Sequence, residues 1–190
     1  MAPGLRKLSL TAHVTSSVGW LGAVVAFLAM GVVGLTSQDA ETVRGVYLVM
    51  EPAGWYVLVP FAFASLLTGI VQSLGTVWGL LRHYWVLFKL GINVLASVVL
   101  LLYMQTLGYL AGLAQEMTSS SADLSGLRSG SPVIHAAGAL GLLLVAATLS
   151  VYKPRGVTPY GQRQQRAATQ RRSPDDRTGQ SEAGLKTGRG

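Results

Sequence analysis

The sequence predicts an all-α protein, a transmembrane four-helix bundle with a disordered basic C-terminal tail. Half of the 190 residues are hydrophobic and only 12% are charged, whereas soluble domains carry about 25% charged residues. The mean hydropathy of +0.43 reflects the same deficit of polar surface. These values exclude an ordinary soluble enzyme. The absence of cysteine excludes a disulfide scaffold and cysteine-based metal sites.

Four apolar stretches are long enough to cross a bilayer, since a spanning helix needs about 20 mostly apolar residues. They cover approximately residues 8–35, 46–74, 84–110 and 132–152. The first stretch follows two basic residues but is much longer than the 7–15 apolar residues of a signal peptide, so we interpret it as a retained helix. In the second, Pro52 and Pro60 predict a bent or locally opened helix. Together the four helices form one domain, residues 1–152.

The basic residues predict the orientation of the bundle. The N-terminus, the connection after the second span and the C-terminal tail are rich in basic residues. In the other two loops, Arg44 and Arg128 are offset by acidic residues. Because cytoplasmic loops carry an excess of Lys and Arg, we expect a multi-pass protein of the bacterial plasma membrane with both termini in the cytoplasm.

The C-terminal tail, residues 153–190, carries nine of the fifteen basic residues and three acidic ones, which is +6 of the net charge of +7. It has too few apolar residues to form a core and is predicted to be disordered. Its charge would attract anionic lipid headgroups; the alternative is a solvated tail that only follows the rule for cytoplasmic segments. Nucleic acid is not an expected partner, because the tail lacks interleaved aromatic residues or a folded binding module.

Small residues on three spans predict close helix packing, and the same faces could join two copies or a partner subunit. They are Ser65, Gly69 and Ser73 on the second span, Gly19 with Ala23 and Gly22 with Ala26 on the first, and Ala137 with Gly141 on the fourth.

Polar residues from several spans are predicted to share one layer near the inner leaflet. At 1.5 Å per residue, His13 and Lys89 lie about 7–8 Å from the cytoplasmic ends of their spans, and Gln72 about 4–5 Å. Helical phase places further polar and aromatic residues on the faces of His13 and Lys89. If these faces point inward, they form a pocket for an anionic or aromatic ligand. The residues of this pocket would be His13, Trp20, Gln72, Arg82, Trp85, Lys89 and Asn93. The alternative is that Lys89 snorkels to the interface and the other residues only pack.

A second polar pair is expected near the outer leaflet. Glu51 lies about 7–8 Å and His135 about 4–5 Å inside their spans. A Glu51–His135 hydrogen bond would keep the carboxylate from being isolated, and the pair could transfer a proton or capture a ligand. The alternative is that both side chains are hydrated at the interface.

Motifs for catalysis or nucleotide binding are missing from the sequence, so no catalytic activity can be assigned. No metal site is predicted either. His13 and His135 lie near opposite leaflets and cannot ligate one iron together, which leaves His13 as a single haem ligand. Two further alternatives are a small transporter and an accessory subunit of a membrane complex.

Two short motifs resemble a known group of membrane proteins. The stretch from Leu10 to Trp20, with His13 and Trp20 seven residues apart, resembles the first helix of HemJ-type protoporphyrinogen oxidases and related CopD-like proteins. The element Trp85-x-x-x-Lys89-Leu90 is similar to one on a later helix of that group. This resemblance implies that His13 and Lys89 handle haem or a porphyrin. Residues 4–161 also resemble a family of uncharacterised bacterial four-span integral membrane proteins, in segments such as LRKLSLTAHVTSSVGWLGA and SVYKPRGVTPYG.

Overall fold

The computed structural model describes residues 2–75, 83–116, 125–152, 156 and 158–163. These residues are almost entirely helical and contain no β-strand, which confirms the predicted all-α class. The elements are α1 (Pro3–Thr36), α2 (Ala40–Ala53), a π-helical segment (Gly54–Leu58), α3 (Val59–Leu74), α4 (Tyr84–Glu116) and α5 (Ser131–Tyr152).

Four helices are long and apolar enough to cross a membrane, as predicted. They are Pro3–Thr36, the continuous helix Ala40–Leu74 formed by α2, the π segment and α3, Tyr84–Glu116, and Ser131–Tyr152. α1 begins before the predicted residue 8 and α4 continues past residue 110, because a helix can extend into the polar interface after its apolar stretch has ended. The protein is therefore a multi-pass membrane protein built as a four-helix bundle.

The helices form a closed ring in chain order. α1 packs against α2, α3 and α5, and α4 also packs against α2, α3 and α5. α1 and α4 therefore occupy opposite corners of the bundle. Spans that follow each other in the chain are thus neighbours in the ring, which is the up-and-down arrangement of four-helix bundles.

The second span contains the predicted local opening in the form of the π segment. Pro52 and Pro60 have no N–H, so each interrupts the α-helical hydrogen-bond pattern. Between them the N–H of Val59 donates to the carbonyl of Gly54, five residues earlier. A Cβ at Gly54 would lie 2.7 Å from Sδ of Met104, so glycine is needed here for the close approach of α4.

Two arginines donate hydrogen bonds to backbone carbonyls at helix ends, at the end of the bundle where α2 begins. Nε of Arg44 donates to the carbonyl of Ala114 in the last turn of α4 at 2.8 Å. Arg128 donates to Oε1 of Gln38 at 2.8 Å and to the carbonyl of Ser37 at 3.3 Å. Carbonyls in the last turn of a helix lack intrahelical donors, so these cations satisfy acceptors and favour the helix dipole.

The folded region extends beyond residue 152, where the sequence placed the start of the disordered tail. The N–H of Tyr84 donates to the carbonyl of Gly156 at 3.4 Å. Thr158 is only 5% exposed, and its hydroxyl accepts from the N–H of Gly161 at 3.2 Å, which caps a short helical turn over 159–163. A local cap and a hydrogen bond to the start of α4 thus involve residues that the sequence assigned to the tail, although their composition is polar. Residues 164–190 of the predicted tail lie outside the described residues.

Candidate ligand cavity

A cavity of about 500 Å³ lies between α1, α3, α4 and α5. It is at the end of the bundle where α1 and α4 begin and where α3 and α5 end. Its walls are mostly apolar, with a small number of polar side chains. Small-molecule sites have this composition and volumes of about 300–1,000 Å³.

The cavity brings together six of the seven residues predicted for an inner-leaflet pocket. They are His13, Trp20, Gln72, Trp85, Lys89 and Asn93. The seventh, Arg82, lies outside the described residues. Trp20 is 2% exposed and belongs mainly to the core, whereas the other five are half-buried at the cavity wall.

His13 is held by α3 through hydrogen bonds at one ring nitrogen. Its Nδ1 lies 3.1 Å from the carbonyl oxygen of Ser65 and 3.2 Å from the hydroxyl of Thr68. A carbonyl oxygen can only accept, so we assign the ring proton to Nδ1. In this neutral tautomer Nε2 has a lone pair and can accept a hydrogen bond or bind a metal.

The predicted small-residue stripe on α3 forms the surface on which His13 lies. Ser65 is 2% exposed, and its hydroxyl lies 2.8 Å from that of Ser17 on α1. A Cβ at Gly69 would lie 3.0 Å from Cε1 of His13, so the glycine provides the space for the imidazole. Sequence reasoning assigned Gly69 to helix packing and missed this role. The signal for it was the similar depth of Gly69 and His13 in adjacent spans.

Lys89 approaches the cavity from α4, at the corner of the bundle opposite to α1. Its Nζ lies 5.9 Å from the centroid of the Trp85 ring, within the roughly 6 Å over which a cation is attracted to an aromatic face. Asn93 lies one turn further along the helix and also lines the cavity. α4 therefore contributes a cation and an amide to the same space that holds the imidazole of His13.

The predicted outer pair does not form. His135 is exposed, its Nδ1 lies 2.9 Å from the carbonyl oxygen of Ser131, and its ring stacks on Tyr103 with centroids 4.1 Å apart. Glu51 is half-buried and faces Gly108 on α4, with Oε1 4.0 Å from where a Cβ would lie. The expected Glu51–His135 hydrogen bond is wrong, because similar depth does not ensure that two side chains face each other.

Two tyrosine hydroxyls in the half of the bundle where α2 begins are buried without a hydrogen-bond partner among the described residues, those of Tyr47 and Tyr103. Tyr47 is 1% exposed, and its hydroxyl would lie 3.3 Å from a Cβ at Gly34. These phenols therefore contribute to the core mainly through their rings.

Within the described ranges, no group of three or more His, Asp or Glu residues could hold a metal ion. His13 is the single cavity residue with a nitrogen suited to a metal, since imidazole is a common ligand. In comparisons with known proteins, no family model, no curated protein and no solved structure matches the chain.

Proposed function

We propose that the chain is an integral protein of the bacterial plasma membrane that binds a small anionic amphiphile in the inner-leaflet half of the bundle. The observation that supports this most is the position of Lys89, half-buried at the wall of a largely apolar cavity. Ionisable residues inside membrane spans commonly mark substrate or ion sites. A cation at the wall of an apolar cavity attracts an acidic group on a ligand.

The remaining residues of the cavity suggest where the apolar and polar parts of such a ligand would lie. The apolar walls suit a hydrocarbon or ring system, because burying it releases about 25 cal/mol per Å² of apolar surface. Lys89 and Asn93 suit an anionic head that accepts hydrogen bonds. Nε2 of His13 suits an O–H or N–H donor on the ligand, since Nδ1 is already hydrogen-bonded to α3.

Binding of a dansyl-labelled long-chain fatty acid to the full chain in nanodiscs tests the proposal. We expect Lys89→Met to weaken binding by about tenfold to a hundredfold, because a hydrogen bond to a charged group contributes about 1.5–3 kcal/mol. Lys89→Arg should retain most of the affinity.

The matched control is Lys7→Met. This variant removes a cation near the start of α1, at the same end of the bundle as the cavity, and Lys7 does not line the cavity. It should bind the probe like wild type. Equal affinity of Lys89→Met and wild type would contradict the proposed role of Lys89.

The orientation is part of the same proposal and is supported by the distribution of basic residues. Reporter fusions at Gly126 should read outside, and fusions at Gly190 should read inside. With this orientation the cavity faces the cytoplasmic leaflet, where the basic tail would meet anionic headgroups. An outside signal from Gly190 would move the cavity to the other leaflet and refute the assignment.

A porphyrin or haem is the second candidate ligand, and the hydrogen bond between Nδ1 of His13 and the Ser65 carbonyl favours it. Ligating histidines usually donate their other ring N–H to a carbonyl or carboxylate, which orients the ring. His13 would hold the iron, and Lys89 would pair with a propionate. Bound haem would supply redox chemistry.

An absorption spectrum of the purified protein after haem loading tests this candidate. We expect a Soret band that is lost in His13→Ala and retained in His135→Ala, a variant at the other end of the bundle. If the spectra of wild type and His13→Ala were the same, the haem assignment would be wrong.

A further inference from the structure

We infer that the cavity opens sideways between α1 and α5 into the inner leaflet, so that its ligand enters from the lipid. The inference rests on the proposed function, because it concerns how the same ligand reaches the same cavity. It depends on which of the cavity-lining residues are exposed. A side chain that lines a cavity and is also exposed lies at the rim of its opening.

The rim on α1 consists of Leu10, Val14 and Val18. All three line the cavity, and they are 48, 50 and 62% exposed. Residues four apart lie on the same face of a helix, and this set extends over about 12 Å at 1.5 Å per residue. The opening therefore runs along the side of α1, facing the hydrocarbon region.

The opposite rim is on α5. Ala147 lines the cavity and is exposed, whereas Leu143 and Ala146 line its inner wall and are buried. On α3 and α4 every cavity-lining residue is half-buried or buried. Among the described residues, the four exposed ones of the cavity wall thus belong to α1 and α5, which locates the opening at the boundary between these two helices.

The same two helices are in close contact at their outer ends. Gly31 of α1 is buried, and a Cβ there would lie 3.2 Å from Cβ of Pro132 on α5. Contact at this end and exposed cavity walls at the other confine the opening to the inner half of the bundle.

The chemistry of the rim indicates the class of ligand. Leu10, Val14, Val18 and Ala147 present only hydrocarbon, so a hydrated ion gains nothing by crossing them. A single acyl chain or a flat ring can pass and leave its acidic group near Lys89. The ligand class is therefore a membrane-dissolved monocarboxylate or similar amphiphile, as opposed to a small anion dissolved in the cytoplasm.

Blocking the rim tests this access route. The chain has no cysteine, so Val14→Cys can be labelled selectively with a bulky, lipid-soluble maleimide. Val25→Cys is the matched control, because Val25 is 48% exposed on the same helix and does not line the cavity. Association of the dansyl-labelled fatty acid is followed by stopped-flow fluorescence in nanodiscs, with and without label.

We expect the label on Val14→Cys to slow association by about tenfold, within the one to three decades over which association rates vary among variants of one site. The label on Val25→Cys should leave the rate unchanged, and hexanoate, which remains in water, should not displace the probe. Equal rates for the two labelled variants, or displacement by hexanoate, would overturn lateral access. The proposed function would still stand if Lys89→Met lost binding in the same assay. If wild type did not bind the probe, both proposals would fail.

Discussion

Replacing Gly69 with alanine should show how tightly α3 holds the imidazole of His13. The added Cβ would lie 3.0 Å from Cε1 and 3.4 Å from Nδ1 of His13. The ring cannot move away freely, because Nδ1 is hydrogen-bonded to the carbonyl of Ser65 and to Thr68. We therefore expect the substitution to displace the ring and lengthen these hydrogen bonds.

The expected change in the free energy of unfolding has two opposing parts. Overpacking a close contact destabilises by about 1–3 kcal/mol, and alanine stabilises a helix interior relative to glycine by roughly 0.5–1 kcal/mol. The net expectation for Gly69→Ala is a loss of about 1 kcal/mol. In a His13→Ala background the contact no longer exists, and the same substitution should gain about 0.5–1 kcal/mol.

Reversible unfolding in mixed micelles of increasing SDS fraction, followed by far-UV circular dichroism, measures all four variants of this cycle. Gly22→Ala is the control, because nothing lies within 4 Å of a Cβ at that exposed position on α1. Gly22→Ala should show the stabilisation of the helix by alanine without the destabilisation by a close contact. If Gly69→Ala had the same effect with and without His13, the proposed contact between the two residues would be refuted.

Three further predictions concern the end of the bundle where α2 begins. Hydrogen bonds from the side chain and then the amide of Thr42 hold the pKa of Asp39 below its ordinary value of 3.8. The stabilising contribution of Asp39 is therefore complete above pH 3.8 and is lost as the pH falls through the lowered pKa. Over that pH range the hydrogen exchange of the Thr42 amide should accelerate in wild type. In Asp39→Ala the loss of the cap should cause no such acceleration. Tyr47→Phe should melt at or above the wild-type temperature, since the removed hydroxyl has no partner among the described residues; a loss above about 1 kcal/mol would reveal one. Arg44→Met should destabilise by about 0.3–1 kcal/mol, with Arg44→Lys recovering part of the loss, because Arg44 satisfies the Ala114 carbonyl.

The depth of the cavity residues along their helices could be predicted, because the rise per residue of an α-helix is fixed. Counting residues from the ends of the apolar stretches placed His13 and Lys89 at one depth, and the three-to-four-residue period placed Trp85 and Asn93 on the face of Lys89. The same counting placed Glu51 near His135, where it was wrong. Depth follows from the sequence, whereas the rotation of each helix about its axis depends on how all of its neighbours pack.

Local interactions also limited what could be predicted. The order of residues 158–163 depends on one threonine cap and on contact with α4, and neither changes the polar composition from which disorder was predicted. The role of Gly69 depends on where an imidazole from another helix lies. The exposure that marks the cavity rim at Val14 and Val18 likewise has no signature in an apolar stretch, since valine is equally suited to lipid and to a cavity wall.

The π segment absorbs one residue without changing which face of α3 meets α1. A helix turns about 100° per residue, and the wider π turn contains one residue more than the α-helical path would need. Deleting a single residue from Gly54–Leu58 should therefore convert the segment to regular α-helix and leave Ser65 and Gly69 facing His13. Deleting one residue from the regular helix between Val59 and Ser65 would instead rotate both residues by about 100° away from His13. The second span thus tolerates a change of length in the π segment but not in α3, and ligand binding should survive the first deletion and be lost with the second.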